Sequence, residues 1–162
     1  MQIQARNSQT RHKAPLRQLK KVAATILSAL GCPDSTELSI SIVGDRSIHH
    51  LNRDYLGKDR PTNVISFSLQ EGEFGHLSAA LGDVVISADT AAREAEAGGI
   101  SPWERMVFLL LHGILHLTGY DHERSGEAEA RRMEKKEQEL YALLQHSGLT
   151  TLTQGEGSGR RQ

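Results

Sequence analysis

Cysteine is nearly absent from this 162-residue chain: Cys32 stands alone, which excludes an internal disulfide and any zinc site built from several cysteines. Any metal must therefore be held by nitrogen and oxygen. Cys32 follows a helical pattern in the segment GCP with no evident base or cation beside it, and reads as an inert, partly buried thiol. Aromatic residues make up 4% of the chain, a poor basis for binding nucleic acid by stacking alone. No apolar run approaches the roughly 20 residues of a membrane span. The opening MQIQARNSQTRHK lacks the apolar stretch of a secretory signal. A soluble, cytoplasmic protein with no membrane partner is expected.

What is present is enough for a core. Hydrophobic residues form 38% of the chain and charged residues 24%, the balance of a globular domain. One domain over residues 1–146 is expected, with 147–162 as a disordered tail of Gly, Ser, Thr and Gln. The net charge of −1 hides an asymmetry: residues 1–62 hold ten Lys/Arg against five Asp/Glu, and the remainder nine against fifteen. The first part could face a polyanion, although charges this dispersed also describe a solvated surface.

The periodicities alternate between strand and helix. Residues 14–30 carry Leu16, Leu19, Ala23, Ile26, Leu27 and Leu30 at helical spacing, with Pro15 suited to the first turn. Leu38, Ile40 and Ile42 alternate with polar neighbours over 37–43, a strand with one buried face beside which MQIQA can pair. Asp45 is placed to cap a short helix ending at Gly57. VISFSL and DVVIS are strands, and 88–97 is helical until Gly98 and Gly99. Ser101, Pro102 and Glu104 form the start signal of a capping box, followed by MVFLLLHGILHLT. Because that helix is apolar nearly all round, it belongs in the centre of the domain. A last helix covers about 127–144.

His112 and His116 lie four apart on this apolar helix, about 40° apart around the axis and about 6 Å along it, so both rings can reach one ion. His122 follows beyond Gly119, whose conformational freedom permits the reversal that would return a third ring. Three imidazoles leave a fourth tetrahedral position open on a single zinc ion, Zn2+, the arrangement of a catalytic site. With no side-chain base assigned, water bound to the ion on His112, His116 and His122 is the expected reactant. A buried helix has no inexpensive reason to carry two polar rings unless they share a partner. The spacing HxxxHxxGxxH is also that of metzincin peptidases, but those need a glutamate directly after the first histidine, where this chain has Gly113. The metal site survives that comparison; the peptidase machinery does not. The remaining histidines, including His12, His49, His50, His76 and His146, are expected at the surface, and Asp121 and Glu123 flank His122 without pointing where it points.

The segment HGILHLTGYDH resembles the YbeY family, bacterial endoribonucleases of ribosomal RNA maturation, whose signature is HGxLHLxGYDH. LNRDYLGKDRPTNVISF is similar to the family segment built around KDxPTNVLSF, and LGDVVIS to its LGD strand. The resemblance implies an α/β (α+β) fold, zincin-like, with a small mixed sheet and about five helices around a central histidine-bearing helix. It implies zinc on His112, His116 and His122, single-strand-specific RNA cleavage, maturation of the 3′ end of small-subunit ribosomal RNA, and ribosome quality control. Ribosomal RNA and the small ribosomal subunit are the implied partners; DNA is not expected. Lys58, Arg60, Asn63 and Ser66 are candidates for substrate contact, each also readable as loop or strand-end polarity. Asp83 is a candidate to orient a ligand histidine, or an ordinary strand-end carboxylate. Members commonly have arginine after the tyrosine of the first segment, where this chain has Leu56, and an arginine's charge and paired donors are not replaceable by leucine. The rival reading is a ribosome-associated assembly factor in which the metal is mainly structural.

Overall fold

Leu38, Ile40 and Ile42 are all fully buried, as their alternation requires, on a strand flanked by two others running the same way. The computed structural model describes residues 1–70, 79–120 and 126–152. In chain order the described elements are β1 (Gln2–Asn7), α1 (Leu16–Ala29), β2 (Glu37–Val43), α2 (Asp45–Leu56), β3 (Val64–Ser68), β4 (Ala80–Ser87), α3 (Ala88–Gly98), α4 (Pro102–Leu117) and α5 (Gly126–His146). The sheet order is β1-β2-β4-β3; β1, β2 and β4 are parallel and β3 is an antiparallel edge. This is the mixed α/β architecture with five helices that the resemblance implies.

The two faces of the sheet are covered unequally. Leu38, Ile40, Ile42, Val84 and Ile86 join the large core formed with α1, α3, α4 and α5. Val43, Ile65 and Val85 point the other way, against Ile48 of α2, and form a small second cluster. α4 therefore has the sheet beneath it and helices around it, and ten of its sixteen residues are buried. Besides Glu104 in the first turn, its half-buried positions are Arg105, Phe108, His112 and His116, at i, i+3, i+7 and i+11, one stripe along the helix.

Helix starts and stops follow local chemistry. The Ser101 hydroxyl accepts the Glu104 backbone N–H at 3.1 Å, with Pro102 opening the helix. The expected return arm from Glu104 is used differently: its carboxylate accepts the Tyr141 hydroxyl at 2.7 Å, tying α5 to α4. Asp45 likewise begins α2 instead of capping it; Gly44 holds the cap position, and the Asp45 carboxylate accepts the Ser87 and Thr90 hydroxyls at 2.6 Å each. Leucine and tryptophan chemistry corrects the expectation of a disordered tail from 147. Leu149 and Leu152 pack on the core, and the Trp103 indole donates to the Leu149 carbonyl at 3.0 Å, so order persists through 152. Residues 153–162 lie outside the described residues. Among the described residues no helix is long and apolar enough to cross a membrane. Burial pushes the Cys32 thiol up, in keeping with an inert group.

Candidate metal centre

The backbone around His112 is set by the close approach of α4 to the sheet. A Cβ on Gly113 would lie 2.7 Å from a Val84 methyl and 3.2 Å from the Ser66 hydroxyl, so only glycine fits this crossing. Ser66 also donates its hydroxyl to the Gly113 carbonyl at 2.9 Å, holding the edge strand to the helix. With residue 113 pressed against β4, its neighbour His112 and the residue four further on turn outward on the half-buried stripe.

The two imidazoles meet. Their Nε2 atoms stand 3.2 Å apart, with ring planes at 76°. Two nitrogens sharing a tetrahedral zinc at roughly 2.0–2.1 Å would be separated by about 3.3 Å. The donor pair therefore fits one ion. His112 Nδ1 lies 2.6 Å from Glu137 Oε2 on α5. A carboxylate there accepts the Nδ1 proton, which leaves the Nε2 lone pair directed toward His116. Phe108 stacks on His112 with centroids 6.3 Å apart, supplying an apolar wall to the ring.

Beyond His116 the helix closes where glycine was expected to end it. Gly119 has φ of 101°, and the Tyr120 N–H reaches back to the Leu115 carbonyl at 3.0 Å, the closure of a Schellman turn. The Arg132 guanidinium lies over the Tyr120 ring at 4.1 Å, so the start of α5 returns to the end of α4. His122, with Asp121 and Glu123, lies outside the described residues; among the described residues no group of three metal-binding side chains converges.

A model of the family described as Endoribonuclease YbeY matches residues 2–145. The chain belongs to the YbeY family of endoribonucleases. The protein of that name from Geobacter sulfurreducens is 66% identical over 150 residues, covering 92% of this chain and 99% of its own length. The one from Aquifex aeolicus is 48% identical over 126 residues, with 78% of this chain and 80% of its own covered. The solution structure of TM1509 from Thermotoga maritima superposes with a TM-score of 0.57 over 94% of this chain and 98% of that one; at 20% identity it speaks to the fold alone. Membership in the YbeY family makes the chain an enzyme of the hydrolase class.

Within this YbeY chain the other expected contact residues separate into two groups. Lys58 and Arg60 are exposed in the loop after α2, and neither forms an ion pair among the described residues. That loop is pinned from beneath by buried Asn52, which donates to the Arg60 carbonyl at 2.8 Å. Asn63 and Ser66 have internal partners: the Asn63 amide donates to Glu94 at 3.2 Å, and Ser66 is the strand-to-helix tie at Gly113. Asp83 requires a correction. It shares its strand face with Val85, toward α2, whereas Val84 faces α4; a side chain of that parity points away from His112 and cannot orient it. Among the described residues, the carboxylate within hydrogen-bond distance of His112 is that of Glu137. Its only sequence signal is position: Met133, Glu137, Leu140 and Leu144 fall on one helical stripe, where an apolar residue is the pattern. Leu56 is half exposed at the last turn of α2, before Gly57.

Proposed function

We propose that this chain cleaves single-stranded RNA internally, using one divalent ion, zinc, on His112, His116 and His122, in the maturation of the 3′ end of small-subunit ribosomal RNA and in ribosome quality control. The observation that carries the reading is the facing of His112 and His116 through their Nε2 atoms at 3.2 Å, in a chain of the YbeY endoribonuclease family. An ion so held would supply positive charge against a phosphate oxygen and lower the pKa of a water. The chain's own residues do the rest. Glu137 holds His112, Phe108 shields one side of the ring, and Lys58 and Arg60 offer charge to the RNA backbone. Gly113 contributes no base, which sets the site apart from peptidases.

Leu56 supports a second reading, a ribosome-associated assembly factor. An exposed apolar side chain stands at the position where an arginine would offer paired donors to phosphate. One assay separates the two. Purified single-stranded RNA is incubated with the wild type, with His112→Ala and with metal-stripped protein at matched folded fraction. Cleavage by the wild type alone, restored to stripped protein by zinc, is the expected result. Equal product from all three would reject the metal-dependent nuclease.

A further inference from the structure

On α5 the buried stripe Met133, Leu140 and Leu144 continues through Glu137, whose side chain is 15% exposed. Leucine would fill that position by pattern, and a carboxylate withdrawn from water costs free energy unless it is paired. Its partner is the far nitrogen of a proposed metal ligand: Oε2 stands 2.6 Å from His112 Nδ1, while His112 Nε2 faces His116 Nε2. We propose that Glu137 is a positioning residue of the metal centre, fixing the tautomer and ring plane of His112 so that its Nε2 lone pair is presented to the ion. This rests on the reading of His112 as a ligand. The alternative is an ion pair that docks α5 on α4 and does nothing for the ion. A second clamp between the same helices allows a control, because Tyr141 donates to Glu104 at 2.7 Å and touches neither histidine by hydrogen bond.

Zinc affinity of the full chain is measured by competition with a chromogenic chelator, on wild type, His112→Ala, Glu137→Ala, Glu137→Gln and Tyr141→Phe, with thermal melting of each metal-free protein to set equal folded fractions. Loss of an outer hydrogen-bond partner of a ligand histidine typically lowers affinity by about 10–100-fold. Glu137→Ala is expected in that range. Glu137→Gln, which keeps an acceptor oxygen without the charge, is expected to recover part of the loss, and Tyr141→Phe to bind within about twofold of wild type. Wild-type affinity in Glu137→Ala would overturn the proposal while leaving His112 as a ligand. Equal losses in Glu137→Ala and Tyr141→Phe would also overturn it, because helix docking would then explain both. If His112→Ala binds zinc as the wild type does, the underlying reading fails and the positioning role with it.

Discussion

At position 113 a hydrogen atom is the largest side chain that fits. A methyl group would meet Val84, which is β-branched and stiff, at 2.7 Å, and overpacking of this kind typically costs about 1–3 kcal/mol. Gly113→Ala is accordingly expected to lower the urea midpoint with no change in denaturant slope, the midpoint shift multiplied by that slope giving a loss in that range. A variant as stable as the wild type would show that α4 can lift from the sheet at no cost. The same contact explains the absence of a peptidase-type glutamate: residue 113 is buried against β4, so no long side chain could occupy it without displacing the histidine helix. His112 and His116 were legible in the sequence because helical spacing alone puts them on one face. Glu137 was not, because its partner is 25 residues away on another helix and no local rule joins them.

Between elements, polar side chains do what capping patterns only suggest. Ser101 is a cap by pattern and by geometry, and Ser101→Ala is expected to cost about 1 kcal/mol, read from the shift in thermal midpoint. Asp45 and Asp89 instead join α2, α3 and the segment after β1. Asp89 accepts the Asp45 backbone N–H and pairs with His12, both at 2.9 Å, and Asp45 pairs with Arg93 at 2.8 Å. The Asp45 N–H, more than the neighbouring His12, holds the Asp89 carboxyl below its ordinary range. Burial would raise the Asp45 carboxyl, but hydrogen bonds from Ser87, Thr90 and Arg93 together with the Arg93 charge outweigh it and lower it. The unfolded chain therefore binds these protons more readily than the folded one. The stability they contribute is complete above the ordinary aspartate value of about 3.9 and is lost as pH falls through the lower folded values. Thermal midpoints of wild type and Asp89→Asn between about pH 5 and 2.5 test this: the variant is expected to start lower and fall less steeply. Parallel curves would contradict it. None of this network was legible beforehand, since Asp45 reads locally as a cap and finds its partners some 40 residues on.

Over the whole molecule, the sequence disclosed most of the layout and least of the layering. Strand alternation and the all-round apolar helix were sufficient to place α4 at the centre, and the order of elements agrees with the expected one. Strand parity at Asp83 could not be oriented until it was known which sheet face met α4, and Trp103 gave no sign that it would hold Leu149 in place. The YbeY profile runs from residue 2 to 145, across both the basic first part and the acidic remainder, so the polarity of charge belongs to the family-matched region itself. The facing histidines lie in the second half of α4, and just beyond it Arg132 of α5 returns to the Tyr120 ring. The claim that the junction of α4 and α5 completes a three-histidine site is tested most directly by elemental analysis of zinc per chain in the wild type and in His122→Ala, both folded and dialysed against the same zinc buffer. One zinc per wild-type chain and almost none in the variant is the predicted result. An equal zinc content in the two proteins would contradict it.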